Sequence, residues 1–339
     1  MKLLFELSKE HPTLPLSELT SCLDSEAFAY SVLDVIDRFL YVDISIENHA
    51  EVKRIGERVS MCHSINEVLF LSMPSLESLL QPLKTIDLGE VQSFKVKCEN
   101  HQIPKIVKSV DIERKVGAIL AQSHKVNLSN PDVEIRIILT NECWFVCKKI
   151  MQIDRSQYES RKAKYRPFFS PISMHPRLAR AMVNLSKIKK GETLLDPFCG
   201  TGGILIEAGL IGVRVIGSDI ERKMVEGCIQ NLTFYDIKGF EVFQSDISEI
   251  PSLVEKVDSI ATDFPYGKSA TTKKESIDKL YPRAFEAMSE VLKPKRRLVA
   301  TLPSIDAIKW GSEFLDLVEI HPFRVHRSLT RYISVYTKP

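Results

Sequence analysis

Four aspartates, Asp196, Asp219, Asp246 and Asp263, each close a short apolar run of this chain. Asp196 opens Asp196-Pro197-Phe198-Cys199-Gly200-Thr201-Gly202-Gly203, a turn whose glycines let backbone approach a ligand and take positive φ without steric cost. Ile204-Leu205-Ile206 stands where a dinucleotide fingerprint needs its third glycine, which disfavours a pyrophosphate cofactor. A carboxylate at the start of the loop suits a ligand with a cationic ammonium. Asp219, 23 residues further on, is placed to accept two ribose hydroxyls. Asp246 can accept from an adenine amino group, with Ile220 and Ile247 packing on the ring. Each acid alone could be a helix cap. At three successive strand ends they point to a nucleoside ligand held by Asp196, Phe198, Gly200, Gly202, Asp219, Ile220, Asp246 and Ile247.

Asp263-Phe264-Pro265-Tyr266 follows the next apolar run. An exocyclic amine on a base is a poor nucleophile because its lone pair is delocalised into the ring. A carboxylate such as Asp263 and a backbone carbonyl, each accepting one N–H, would pull that nitrogen toward tetrahedral geometry and aim its lone pair. Tyr266 would stack on the base, worth roughly 1–3 kcal/mol and comparable with the cost of unstacking it. Cys199 is read as packing, not as a nucleophile.

The elements that must position these groups follow from the periodicity. Buried strands are expected at Thr193–Leu195, Arg214–Gly217, Val257–Thr262 and Arg297–Leu302, with helices beginning near Gly202, Glu221, Ser276 and Ser304. Strands separated by helices of this length pair in parallel in a doubly wound sheet. Runs around Leu317–Pro322 and Tyr332–Thr337 are close enough in sequence for an antiparallel edge hairpin. The first 150 residues interleave shorter strands and helices as in an α+β region, and one helix, Asp111–Ala121, carries Gly117 where a neighbour could approach.

Charge is uneven. Residues 151–190 hold 10 basic and 2 acidic side chains, against 17 and 21 in residues 1–150 and 19 and 21 in 191–339. Such a block is usually a solvated linker, and it is also what a phosphate backbone attracts. Lys125, Arg161, Lys162, Lys164 and Arg166 are the candidate RNA contacts. Pro167-Phe168-Phe169-Ser170-Pro171 favours an extended connection between domains. Seven scattered cysteines do not form a disulfide framework, and Cys143 with Cys147 lacks a second pair at metal-ligand spacing. No metal is expected, no run approaches the length of a membrane span, and the protein is expected in the cytoplasm.

The helix bearing Val116-Gly117-Ala118-Ile119, followed by Val126-Asn127-Leu128-Ser129-Asn130-Pro131-Asp132 and Val133-Glu134-Ile135-Arg136-Ile137, resembles a THUMP domain, an RNA-binding module of tRNA-modifying enzymes. Asp263-Phe264-Pro265-Tyr266 resembles the [D/N]-P-P-[Y/F] signature of amino methyltransferases, with Phe264 in place of the first proline; the resemblance implies that this residue contributes its backbone carbonyl to the amine, which Phe264 keeps, while the fixed φ is lost. Taken with Arg166–Arg180, Leu195–Ala208 and the closing His326–Arg331, the chain resembles the archaeal tRNA guanine-10 N2-methyltransferase family.

The resemblance implies a class I Rossmann-like methyltransferase domain at 173–339, a basic linker at 151–172, a THUMP domain at 71–150 and a ferredoxin-like domain at 1–70. It implies S-adenosylmethionine as cofactor, tRNA as partner and a guanine converted to its N2-methyl and N2,N2-dimethyl forms. Guanine methylation at another tRNA position, adenine N6 methylation and a silent RNA-binding protein stand as alternatives. His326–Arg331 could equally fold the edge hairpin or touch RNA.

Overall fold

The computed structural model describes residues 1–170, 173–265, 275–326 and 329–339, so Tyr266, of the expected acceptor turn, and Arg327 and Ser328, of the closing motif, lie outside the described residues. The chain divides into two compact units. One comprises Met1–Lys9, Phe28–Glu57 and Cys62–Ile153, and the other Glu10–Ala27, Arg58–Met61 and Asp154–Pro339.

The chain begins with β1 Lys2–Leu7, α1 Leu14–Ser25, β2 Tyr30–Ile36, β3 Phe39–Ile44, α2 His49–Arg58, β4 Cys62–Ser72 and α3 Leu76–Leu83. It continues with β5 Ser93–Asn100, α4 Ser109–Leu120, β6 Lys125–Val126, β7 Val133–Leu139 and β8 Trp144–Gln152. The eight strands form one sheet in the order β2-β3-β1-β4-β8-β7-β5-β6. The expected boundary at residue 70 therefore does not separate two sheets, because β4 is hydrogen-bonded to β1 on one side and β8 on the other. Leu79, Phe94, Ile112, Val116, Ile135 and Trp144 form the core beneath α3 and α4. Gly117 meets open space, so no close approach of a neighbour explains it.

The second unit continues with α5 Ser156–Ser160, α6 Pro176–Leu185, β9 Thr193–Asp196, α7 Gly203–Gly209, β10 Arg214–Asp219, α8 Arg222–Phe234 and β11 Phe240–Gln244. It closes with α9 Ile250–Leu253, β12 Ser259–Asp263, α10 Ile277–Val291, β13 Arg297–Leu302, α11 Ile308–Ser312, β14 Asp316–His326 and β15 Leu329–Thr337. The seven strands run in the order β11-β10-β9-β12-β13-β15-β14, the first five parallel and the last two forming an antiparallel edge hairpin. Pleat alternation divides the core between the two faces: Leu194, Ala261 and Val299 face one layer of helices, and Leu195, Ile260 and Leu298 face the other. This is the doubly wound Rossmann-like arrangement with an edge hairpin.

Helix α1 packs in this second unit, on α6, though it lies inside the segment expected as the ferredoxin-like domain. Its buried Glu18 explains the placement: the carboxylate accepts the Ser60 and Met61 backbone N–H groups at 2.8 and 2.7 Å and the Asn184 amide at 2.8 Å. A buried carboxylate so satisfied fastens α1, residues 58–61 and α6 together. The expected linker is likewise folded, with α5 and a short 3₁₀ turn over Ala163–Tyr165 lying within the same unit. Among the described residues no helix is long and apolar enough to cross a membrane.

Candidate active site

In an open parallel sheet a ligand lies beyond the carboxyl ends of the strands where the strand order reverses. Here that reversal falls between β9 and β12, and these adjacent strands end in Asp196 and Asp263. A cavity of about 330 Å³ opens at this point, with Asp196, Asp219, Asp246 and Asp263 on its wall. Phe198, Gly200, Ile220, Ile247, Phe264 and Pro265 also line it. Gly202 does not. It stands at the head of α7 with φ of 80°, and a Cβ there would meet Cys228 Sγ at 2.7 Å, so glycine is required by packing beneath the loop.

The loop is shaped by the acids expected to hold the ligand. Asp219 accepts the Gly200 and Glu221 backbone N–H groups at 3.0 and 2.9 Å, which joins the first loop to the second. Burial pushes its carboxyl above the ordinary range despite those bonds. Asp196 is 2 % exposed and accepts the Thr262 hydroxyl at 2.6 Å and the Phe198 N–H at 3.2 Å. Burial, reinforced by the neighbouring Asp263 and Asp219 charges, pushes its carboxyl up to about 7. Asp246 behaves oppositely: Arg283 bridges it to Glu275, and that guanidinium, with the Ser248 N–H and hydroxyl, holds its carboxyl down at about 2.

Asp263 is held by two side chains that the sequence reading did not assign to it. Thr301 donates its hydroxyl to Oδ1, and Arg331 places Nη2 at 3.1 Å from Oδ2. Thr301 is its direct partner across β12 and β13, a signal available only once the register is known. Phe264 is 1 % exposed, with its ring centroid 5.1, 4.7 and 5.0 Å from those of Phe198, Tyr281 and Phe285. The Tyr281 hydroxyl donates to the Pro265 carbonyl at 2.9 Å.

The candidate RNA contacts separate by burial. Lys125 and Lys164 are exposed, the latter with its ammonium 4.6 Å from the Tyr165 ring centre, and Lys162 pairs with Glu159. Arg161 and Arg166 are buried, which corrects their reading as solvent-facing contacts. Arg161 binds the fully buried Glu207 through Nε and Nη2 at 2.7 and 3.1 Å, and Arg180 reaches the same carboxylate at 3.0 Å. Arg166 donates from Nε to the Arg161 carbonyl at 3.1 Å. Arg155 and Arg177 both pair with Glu10. Much of the positive block is neutralised inside the unit by acids from distant parts of the sequence.

Residues 163–333 match the family described as RMKL-like, methyltransferase domain, and residues 72–147 match the THUMP domain. The chain is 39% identical over 343 residues to a tRNA (guanine(10)-N2)-dimethyltransferase of Methanothermobacter thermautotrophicus, covering 99% of both chains. It is 32% identical over 360 residues to the like-named protein of Methanocaldococcus jannaschii, covering 98% of this chain and 99% of that one. The crystal structure of TrmN from Thermus thermophilus matches over the whole of both chains with a TM-score of 0.60 and 20% identity, a likeness of fold. With the site at the reversal of its parallel sheet and these matches along nearly its whole length, the chain belongs to the tRNA (guanine(10)-N2)-dimethyltransferase family, which couples a THUMP domain to an S-adenosylmethionine-dependent methyltransferase domain.

Proposed function

We propose that this chain methylates the exocyclic N2 amine of guanine 10 in tRNA, giving N2-methylguanine and then N2,N2-dimethylguanine, and that it works in the cytoplasm. The observation that carries the reading is the placement of Asp263 beside Asp196 on neighbouring strand ends, linked through Thr262, which precedes Asp263 and donates to Asp196. One acid faces where a cofactor's ammonium would lie, and the other stands beside it, where an acceptor amine would enter.

The residues present fit S-adenosylmethionine. Asp196 suits the ammonium, Asp219 the ribose hydroxyls, and Ile220 and Ile247 the adenine faces, within a cavity large enough for a small ligand. Asp246, although paired with Arg283, keeps lone pairs for the adenine amino group. When bound, the cofactor supplies an electrophilic methyl group on a sulfonium. The chain's own residues supply orientation: Asp263 and the Phe264 carbonyl accept the two N–H bonds of the guanine amine, and Tyr266 stacks on the base. Holding the nitrogen in line can supply much of the acceleration, since proximity alone is worth roughly 7–11 kcal/mol in favourable cases. The THUMP-matching region, with Lys125, the exposed Lys164 and the half-buried Lys162 would hold the tRNA.

Incubating unmodified tRNA transcript with the protein and methyl-labelled cofactor, then analysing nucleosides by mass spectrometry, tests this. Label in guanosine at position 10 supports the proposal. Label in guanosine elsewhere, label in adenosine, or tRNA binding without transfer each supports one of the three alternatives instead.

A further inference from the structure

In a motif with proline at its second position, the pyrrolidine ring fixes φ and removes a backbone donor. Phe264 does neither, yet its carbonyl must point at the substrate if the proposed function holds, and this inference rests on that reading. Three contacts restrain the turn instead. The Phe264 N–H, which a proline would lack, donates to the Thr301 carbonyl at 3.3 Å and extends the β12–β13 ladder by one bond. The Phe264 ring is enclosed by Phe198, Tyr281 and Phe285, so the acceptor turn is packed against the cofactor loop through Phe198. The Tyr281 hydroxyl donates to the Pro265 carbonyl at 2.9 Å. The peptide group joining Phe264 to Pro265, whose oxygen meets the substrate, is thus bracketed by one anchored donor before it and one anchored acceptor after it.

We infer that Tyr281 is a positioning residue for methyl transfer: its hydroxyl holds the acceptor turn in the conformation that a first proline would otherwise impose. Tyr281 suits the task because it is fully buried on α10, its ring wedged between Phe264 and Trp310, with centroids 4.7 and 5.4 Å away. Burial pushes its phenol well above the ordinary value, so the hydroxyl remains a donor throughout the working pH range. Its oxygen does not touch the substrate in this account. It acts through the backbone.

The test uses the full chain and two variants, Tyr281→Phe, which keeps the ring and removes only the hydroxyl, and Tyr281→Leu, which removes both. Single-turnover transfer to tRNA, S-adenosylhomocysteine affinity and thermal midpoint are measured for each. We expect Tyr281→Phe to lose about tenfold or more in the saturating single-turnover rate, with the protein concentration for half-maximal rate and the cofactor-product affinity within about twofold of the parent, the signature of an interaction made in the transition state. Tyr281→Leu should show the same rate loss together with a lowered midpoint. Parent-like transfer by Tyr281→Phe overturns the inference, and so does a rate loss matched by loss of S-adenosylhomocysteine binding. Failure of the functional reading looks different, since the parent protein itself would then leave guanosine unlabelled.

Discussion

The Arg331 guanidinium lies 3.1 Å from the Asp263 carboxylate across β15 and β12, while Thr301 from the intervening β13 donates to the other carboxylate oxygen. Both oxygens are oriented by donors beneath them, and each keeps lone-pair capacity for a substrate N–H. Arg331→Ala should therefore slow methyl transfer by roughly tenfold to a hundredfold through misplacement of the carboxylate. S-Adenosylhomocysteine binding should stay close to that of the parent. Calorimetry beside single-turnover kinetics checks this, and equal loss of both would assign Arg331 to the fold instead.

Asp196 has its carboxyl raised to about 7 by burial, far above its ordinary value. A cationic ammonium needs the ionised form, so affinity for S-adenosylhomocysteine should fall as pH drops below 7 and level off above it, with proton release on binding near neutrality. Asp196→Asn should flatten the profile. Asp196's own contribution to the free protein's stability runs the other way: a raised carboxyl contributes stability that is complete below about pH 4 and is lost as pH rises through about 7, so the difference in thermal midpoint between the parent and Asp196→Asn should change with pH over that range. Calorimetric titrations in buffers of different ionisation enthalpy read the proton release directly.

The buried and the exposed basic residues among the candidate RNA contacts should respond differently. Arg161→Ala leaves the buried Glu207 with Arg180, and removing one partner of a buried pair costs about 3 kcal/mol or more, so thermal stability should fall. Lys164→Glu with Lys125→Glu should leave stability nearly unchanged while weakening tRNA binding and flattening its salt dependence. Thermal unfolding and filter binding at several salt concentrations separate the two, and an unchanged salt slope in the double variant would remove these lysines from the RNA surface.

Phe264→Pro restores the common signature and should nevertheless be harmful here. It deletes the N–H bonded to Thr301 and empties the ring site between Phe198, Tyr281 and Phe285. Loss of a buried phenylalanine ring costs about 3–5 kcal/mol. A marked drop in thermal midpoint is expected, and a more stable or more active variant would show that the aromatic site is not tuned to Phe264.

Much of the fold was legible because periodicity reports burial: the strands ending in Asp196, Asp219 and Asp263 stand where their apolar runs predict. The acids were legible as a set, because each follows an apolar run at a successive strand end, although any one of them alone reads as a helix cap. The partners of those acids were not. Arg331 and Thr301 reach Asp263 only through sheet register, and Arg283 reaches Asp246 only because α10 packs over that strand end. For the same reason Arg161 reads as a surface charge: Glu207, 46 residues away, gives no local sign that it will be buried beside it. The place of α1 was equally hidden, since Glu18 meets its donors at Ser60, Met61 and Asn184 only in the folded chain.

If Asp263 directs a guanine amine onto the cofactor's methyl group, Asp263→Ala removes the acceptor that aims the nitrogen and leaves the cofactor's own contacts in place. Transfer of labelled methyl to tRNA should fall by at least about a hundredfold, as when a dedicated transition-state acceptor or donor is removed, with S-adenosylhomocysteine binding retained and N2-methylguanosine absent from the digested tRNA. If the variant still forms N2-methylguanosine at a rate near the parent's, or loses cofactor binding in step with transfer, the account is contradicted.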